Sequence, residues 1–126
     1  MSARKSDEEW KKVLSLEQFH VLRENGTEAP FINKFWKVND QGEDNCAGCG
    51  SLLFKSDDKF FSACGWPAFS KPAAQSIVFR EDDSHGMKRI EVRCGSCDGH
   101  LGHVFEESTG TRYCINSTSL NFNKKA

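Results

Sequence analysis

Four cysteines in two Cys-X-X-Cys pairs constrain this chain more than any other sequence feature. Cys46 and Cys49 form the first pair in "CAGC", and Cys94 and Cys97 form the second pair in "CGSC". A two-residue spacer lets both sulfurs of a pair point at one ion, and four thiolates at this spacing are typical of a closed, tetrahedral structural zinc site. The sequence therefore predicts one zinc ion that holds two distant loops together.

The residues alone leave two other uses of these cysteines open. One Cys-X-X-Cys pair can be a redox motif. A second possible zinc ligand set lies in "CGSCDGHLGH", where Cys94, Cys97, His100 and His103 follow one another at three-residue steps. That set would leave the first cysteine pair without a function, whereas the four-cysteine site uses both pairs.

Length, composition and charge exclude several classes of protein. The chain has 126 residues, of which 37% are hydrophobic and 28% charged, as expected of one globular domain. Its net charge of -1 comes with scattered Lys and Arg, so we expect neither nucleic acid nor membrane as a partner. The start "MSARKSDEEWKK" has no apolar run, so we expect no signal or transit peptide and a cytoplasmic location, with the nucleus as an alternative.

A change in the pattern of apolar residues divides the chain into an N-terminal helical part and a β part. Apolar residues at helical spacing predict one or two short helices within residues 6–25, and "SLEQ" at residues 15–18 fits a capping box. The following "GTEAPFINKFW" predicts turn and extended chain, and a loop-rich stretch then leads to Cys46. We place a flexible N-terminus at 1–9, the domain at 10–122 and a frayed tail at 123–126.

Five short segments rich in β-branched and aromatic residues predict strands in the second part. They are "SLLFKS", "DKFFSA", "SIVFRE", "KRIEVRC" and "YCINSTSLNF". Residues 76–81 and 88–94 flank "DDSHGM", which favours a hairpin. The expected fold class is mainly β, a single zinc-stapled domain of twisted antiparallel sheets with one or two short N-terminal helices.

Two cysteines, Cys64 in "ACGWPAF" and Cys114 in "RYCINS", lie outside both pairs. A thiolate is a strong nucleophile, and the sulfenic acid that it forms on oxidation condenses with a second thiol. Strand alternation places Asn116 on the same face as Cys114. His100 and His103 are available as proton donors or acceptors, and Trp66 as an apolar wall. A lone cysteine in a strand is more often a buried hydrophobic residue. Without a family resemblance, the residues therefore predict only a zinc-stapled β domain with a possible thiol site.

Several longer motifs resemble one enzyme family in the order in which they occur. "CGWPAF", "SHGM", "RIEVRCGSCDGHLGHVF" and "RYCINSTSLNF" are similar to the B-type methionine-R-sulfoxide reductases, and "SLEQFHVLRENGTEAPF" resembles their N-terminal signature. The resemblance covers about residues 10–122. It implies a catalytic domain that reduces the R epimer of methionine sulfoxide, free or within proteins, with thioredoxin as the reductant. We expect the protein to act as a monomer.

The resemblance also implies a role for each matching position. Cys114 matches the catalytic cysteine, and Cys64 matches the resolving cysteine of many members. Trp66 matches the tryptophan that packs on the substrate's S-methyl group, while His103 and Asn116 match the polar groups around the sulfoxide oxygen. The remaining matches are two supporting substrate-binding residues, His100 and Arg112, and the zinc ligands Cys46, Cys49, Cys94 and Cys97.

Two departures from the family pattern stand close to these positions. Glu107 occupies a place where many relatives have Asp, which puts a water-mediated role of that residue in doubt. The interval between "HLGH" and "RYC" is short, which implies a trimmed loop.

The competing function is a non-catalytic zinc-bound β module that binds a partner protein, and turnover of the R-sulfoxide with dithiothreitol discriminates the two.

Overall fold

The computed structural model describes residues 6–24, 26, 41–60, 66–83, 86, 88–108 and 110–124. Within these ranges the chain forms two short helices and nine β-strands, which are arranged in two antiparallel sheets. The predicted fold class, mainly β in a single domain, is confirmed. No helix in the described ranges is long and apolar enough to cross a membrane. The predicted extended segment at 27–36 lies outside the described residues.

Helices α1 (Asp7–Val13) and α2 (Leu16–Glu24) both begin with a capping box. The Ser15 amide donates to Gln18 Oε1 at 3.0 Å and the Gln18 amide donates to Ser15 Oγ at 3.1 Å, which confirms the predicted box. Ser6 and Glu9 form the same arrangement one helix earlier. Because this cap satisfies its first amides, α1 begins at Asp7, inside the stretch 1–9 that the sequence assigns to a flexible N-terminus.

The two helices pack on the loops that carry the paired cysteines. Trp10 of α1 is fully buried, and the guanidinium of Arg23 from α2 lies 5.1 Å above its ring. Arg23 Nη1 also donates to the main-chain oxygen of Cys97 at 3.0 Å. The helices therefore cover the second cysteine pair as well as closing one end of the hydrophobic core.

A small sheet has the strand order β2–β1–β9, formed by β1 (Gly42–Cys46), β2 (Leu52–Lys55) and β9 (Leu120–Lys124). The sequence places β1 in a loop-rich stretch, because "GEDNC" has little intrinsic β-propensity. It is a strand because β2 and β9 pair with its two edges. The tail predicted at 123–126 is also corrected, since β9 pairs along β1 as far as Lys124.

The large sheet has the order β3–β4–β8–β7–β6–β5. Its strands are β3 (Lys59–Phe60), β4 (Ala68–Phe69), β5 (Ile77–Asp82), β6 (Arg89–Cys94), β7 (His100–Glu107) and β8 (Gly110–Ile115). The predicted β5–β6 hairpin is confirmed, and Asp82 and Arg89 form its last pair.

Three features of this sheet differ from the sequence prediction, the first being the short strand β4, which lies outside all five predicted segments. Strand β7 was not predicted, because "HLGHVFEE" mixes His, Gly and Glu with few β-formers, yet it pairs with β6 and β8 on its two sides. The predicted strand "YCINSTSLNF" is two strands, since a 3₁₀ helix at Ser117–Ser119 separates β8 from β9. The chain thus leaves the large sheet after Ile115 and enters the small one at Leu120.

Strand register gives the large sheet a core face and a polar face. Val92, Ile115 and the stacked rings of Phe54 and Phe69, whose centroids are 4.3 Å apart, belong to the hydrophobic core. On the other face Glu91 lies opposite His103 on the next strand, and His103 lies opposite Cys114. Three adjacent strands therefore present titratable or nucleophilic side chains side by side.

Gly102 makes the close contact between β7 and β8 possible. A Cβ atom built at Gly102 would lie 2.0 Å from the main-chain oxygen of Cys114, which is far inside van der Waals contact. The obstacle is backbone rather than a movable side chain. Only glycine therefore lets the strand that carries Cys114 approach β7 this closely.

We predict that Gly102→Ala destabilises the protein by about 1 to 3 kcal/mol, because β8 must shift to accommodate the methyl group. Urea unfolding followed by circular dichroism measures the change. Ser108→Ala, at an exposed position just after β7, is the control and should alter stability by less than about 0.5 kcal/mol. Equal stability of the two variants would contradict this role of Gly102.

Candidate active site and metal centre

The four paired cysteines come together in one cluster. Their sulfur atoms all lie within 4.8 Å of one another, with Cys46 Sγ 3.7 Å from Cys97 Sγ and Cys49 Sγ 3.6 Å from Cys94 Sγ. These separations exclude disulfide bonds, whose sulfurs are about 2.05 Å apart. A tetrahedral ion with Zn–S bonds of about 2.3 Å spaces its ligand sulfurs by about 3.8 Å. The cluster thus fits a four-coordinate metal ion.

Hydrogen bonds among the four thiols shift their pKa values in opposite directions, down for Cys49 and Cys94 and up for Cys46 and Cys97. Hydrogen bonds with Cys46 and Cys97 lower the pKa of Cys94. The pKa of Cys49 is lowered to about 5, first by its hydrogen bond with Cys46 and also by Ser51, whose Oγ lies 3.1 Å from its sulfur. Two of the four thiols are therefore biased toward the thiolate form that binds metal.

The alternative ligand set of Cys94, Cys97, His100 and His103 is wrong. Within the described residues, the only group of three or more potential ligands is the four-cysteine cluster. His100 and His103 instead interact with carboxylates on neighbouring strands. A redox role for one isolated pair does not account for the close approach of all four sulfurs.

A cavity of about 170 Å³ opens on the polar face of the large sheet. It brings together five of the predicted site residues, with three others that were not predicted. Its lining consists of Trp66, Arg89, Gly102, His103, Phe105, Arg112, Cys114 and Asn116.

Cys114 lies on strand β8 between β4 and β7, where it is opposite Ala68 on one side and His103 on the other. It is half-buried and lines the cavity, as does Asn116 two residues further on. Asn116 Nδ2 donates to the main-chain oxygen of Leu101 at 3.0 Å, which fixes the carboxamide at the cavity wall. The predicted shared face of Cys114 and Asn116 is confirmed.

His103 is held by a carboxylate from the β5–β6 hairpin. His103 Nε2 lies 2.7 Å from Asp82 Oδ2, and Arg89 Nη2 lies 3.4 Å from the same oxygen. Burial is the largest influence on His103 and lowers its pKa; Arg89 and His100 lower it further, and Asp82 opposes this without reversing it. The imidazole is therefore neutral at pH 7.

His100 lies behind the cavity rather than in its lining. It is almost fully buried, and its Nδ1 interacts with Glu91 Oε2, which also accepts from Arg93 Nη1 at 2.7 Å. Burial acts to raise the pKa of Glu91, but the His100 hydrogen bond and the Arg93 charge outweigh it and lower that pKa. The His100 ring meets the His103 ring edge-on at 5.5 Å. His100 is thus placed to support His103 and not to contact a ligand in the cavity.

Arg112 forms the opposite rim of the cavity. Its Nε and Nη2 atoms donate to the two carboxylate oxygens of Glu107 at 2.9 and 3.3 Å, and its guanidinium lies 4.7 Å above the Phe105 ring. Arg112 lowers the pKa of Glu107 through these hydrogen bonds. The longer side chain of Glu107 therefore orients Arg112 across the β7–β8 hairpin.

Sequence reasoning missed the carboxylates that hold the histidines. Asp82 and Glu91 belong to "REDDSHGMKRIEVRC", where many charged residues alternate and none stands out. The hairpin predicted around "DDSHGM" pairs Asp82 with Arg89, but its connection to His103 depends on β7, which was not predicted. Cys64, the predicted resolving residue, lies outside the described residues.

Known proteins match this chain over almost its whole length. A SelR domain matches residues 14–124. The peptide methionine sulfoxide reductase MsrB of Leptospira interrogans is 50% identical over 125 residues, which cover 96% of this chain and 95% of that protein. Proteins with the same description from Methanosarcina barkeri and Bradyrhizobium diazoefficiens are 54% and 52% identical, over 94% and 96% of this chain and 86% and 90% of their own lengths.

We predict that Cys46→Ser or Cys94→Ser loses bound metal and lowers the melting temperature sharply, because metal binding contributes directly to folding free energy. Metal content measured by plasma mass spectrometry and melting followed by circular dichroism test this. Cys114→Ser, outside the cluster, should keep about one ion per chain and melt like the wild type. A metal-free chain with wild-type melting would overturn the interpretation.

Proposed function

The chain belongs to the SelR-domain family of B-type methionine-R-sulfoxide reductases, and we propose that it reduces the R epimer of methionine sulfoxide to methionine. The observation that carries this proposal is one cavity lined by Cys114, His103, Asn116 and Trp66. These are a nucleophile, an acid–base group, a carboxamide and an apolar wall. They match the needs of a substrate with a polar S–O group and a small methyl group.

Each of these cavity residues has a separate role in the first chemical step. The sulfoxide sulfur is electrophilic, but its oxygen must be protonated as the S–O bond breaks. Cys114 loses its proton and its sulfur attacks, His103 delivers a proton to the oxygen, and Asn116 orients the sulfoxide. The hydroxyl group then passes from the methionine sulfur to the Cys114 sulfur as the bond between the two sulfurs breaks, so methionine leaves and Cys114 becomes a sulfenic acid.

Recovery of the enzyme needs a second thiol and an external reductant. Cys64 attacks the Cys114 sulfenic acid, water leaves, and a Cys114–Cys64 disulfide forms. The dithiol of thioredoxin then reduces this disulfide by thiol–disulfide exchange. The sum of the steps consumes one sulfoxide and one reduced thioredoxin, and yields methionine, water and oxidised thioredoxin.

The metal that we assign to the four-cysteine cluster is zinc, held by Cys46, Cys49, Cys94 and Cys97. A closed set of four thiolates leaves no position for substrate, so the ion stabilises the fold and takes no part in the reaction. A thioredoxin-dependent cycle requires a reducing compartment, so we place the enzyme in the cytoplasm or nucleus. We propose that it works as a monomer.

We predict that the enzyme consumes only the R epimer from a racemic mixture, because Trp66 fits the methyl group on one side of the sulfur. Trp66→Ala should lower kcat/KM for the R-sulfoxide about tenfold or more. Chiral chromatography of the remaining sulfoxide, with dithiothreitol as reductant, measures both effects. Phe79→Ala is a control on an exposed aromatic outside the cavity, and should keep wild-type turnover.

Equal consumption of both epimers would show that the cavity does not select by shape. Absence of turnover on either epimer would favour the competing function, a zinc-bound module that binds a partner protein.

We predict different defects for the two unpaired cysteines. Cys114→Ser should abolish reduction, because Cys114 is the one thiol among the cavity residues that the structure describes. Cys64→Ser should still form about one methionine per enzyme in a single turnover, because the first step does not use Cys64. Small thiols can reduce the resulting sulfenic acid, so activity with dithiothreitol should largely survive while activity with thioredoxin is lost. Full thioredoxin-dependent turnover by Cys64→Ser would contradict its role as the resolving cysteine.

A further inference from the structure

We propose that Asp82 is a positioning residue that holds His103 with its proton on Nε2, so that Nδ1 is the atom that exchanges protons with Cys114 and the sulfoxide oxygen. The inference rests on the proposed reductase function for its chemistry. Its structural half, the position of the proton on the ring, can be tested without any substrate.

The contact between the two side chains decides which nitrogen carries the proton. Asp82 Oδ2 lies 2.7 Å from His103 Nε2 and 3.4 Å from Arg89 Nη2, so one oxygen faces two nitrogen atoms. An arginine nitrogen can only donate, which favours an ionised carboxylate that accepts from both groups. The proton of a neutral His103 ring therefore belongs on Nε2, and its lone pair belongs on Nδ1.

Burial makes this contact stronger than a surface ion pair. The side chains of Asp82, Arg89 and His103 are only 20%, 21% and 11% exposed. Water and salt therefore screen the interaction weakly. Asp82 is also fixed by its place at the end of β5, where it pairs with Arg89 across the hairpin.

The two histidines of the site use opposite nitrogen atoms. His100 interacts with Glu91 through Nδ1 and lies behind the cavity, whereas His103 interacts with Asp82 through Nε2 and lines it. Within the described part of the chain, no hydrogen-bond partner occupies Nδ1 of His103. The site therefore has one ring nitrogen available for proton transfer at the cavity.

Charged or titratable residues lie on every strand around His103, and of these Asp82, Arg89 and His100 shift its pKa. The β5–β6 hairpin contributes Asp82 and Arg89, β6 contributes Glu91, β7 contributes His100, and β8 contributes Arg112. Burial and the nearby cations keep the pKa of His103 below its ordinary value, so the ring starts neutral and can accept a proton.

Proton transfer through Nδ1 balances without any further reactant. The Cys114 S–H bond breaks, its proton passes to Nδ1, and the resulting imidazolium is compensated by the Asp82 carboxylate. As the Cys114 sulfur attacks, the Nδ1 proton moves to the sulfoxide oxygen and His103 returns to the neutral state. Asp82 keeps its charge throughout, so it acts only through His103.

Nitrogen-15 NMR on histidine-labelled protein tests the structural half at pH 7, with His103→Gln identifying the signals. We expect wild-type His103 to be neutral with its proton on Nε2. Asp82→Ala should shift the ring toward a mixture of the two tautomers, whereas Asp83→Ala, a change at the exposed neighbouring carboxylate, should leave it unchanged. A wild-type proton on Nδ1, or an Asp82→Ala ring identical to wild type, would overturn the proposal.

Single-turnover kinetics with Asp82→Asn test whether the Asp82 carboxylate assists proton transfer by His103. Loss of the charge should slow methionine formation about tenfold or more, because the imidazolium is no longer compensated. It should also move the acid limb of the pH–rate profile to lower pH, because removing the carboxylate lowers the pKa of His103 further. Asp83→Asn should leave both unchanged.

An Asp82→Asn enzyme with wild-type rate and pH profile would refute the role of Asp82. Failure of the reductase function itself would be seen separately, as wild-type protein that has the expected tautomer but forms no methionine.

Discussion

The four-sulfur cluster is the interaction on which the rest of the structure depends, because it joins the two sheets at their least regular ends. Cys46 ends strand β1 of the small sheet, and Cys94 ends strand β6 of the large sheet. The helices contribute Trp10 and Arg23 to the same region, where Arg23 bonds to the Cys97 main chain. A chain of this size has a modest core, so a metal ion bound by this cluster would supply stability that apolar packing alone does not.

A series of ionic side chains runs from the cluster to the cavity. Asp98, next to the last metal ligand, accepts from Arg93 Nε at 3.0 Å, and Arg93 donates to Glu91, which in turn interacts with His100. His100 then meets His103 at the cavity. A continuous series of polar contacts therefore connects the loop of the second cysteine pair with His103 at the cavity. Breaking one link would leave an uncompensated buried charge, which is costly.

The parts predictable from sequence were those in which local chemistry determines structure. The spacing of Cys46, Cys49, Cys94 and Cys97 predicted the cluster, and Ser15 with Gln18 predicted the start of α2. Strands β1 and β7 were not predictable, because they contain few β-formers and exist only through pairing with their neighbours. The assignment of His103 as a site residue came from family resemblance, and its carboxylate partner became visible only once the register of β5, β6 and β7 was known.

The same register surrounds His103 with carboxylates that are already paired with cations. Asp82 is paired with Arg89, Glu91 with Arg93, and Glu107 with Arg112, so these three carboxylates each have a cation on the same or the next strand. A neutral His103 therefore adds no uncompensated charge to a region of low dielectric. When the ring takes a proton, the new charge appears beside a fixed carboxylate whose dipolar surroundings are already oriented. In the proposed mechanism Asp82 of β5 compensates this charge, while Arg89 and Arg93, which look unremarkable in the sequence of β6, hold the carboxylates of Asp82 and Glu91 in place.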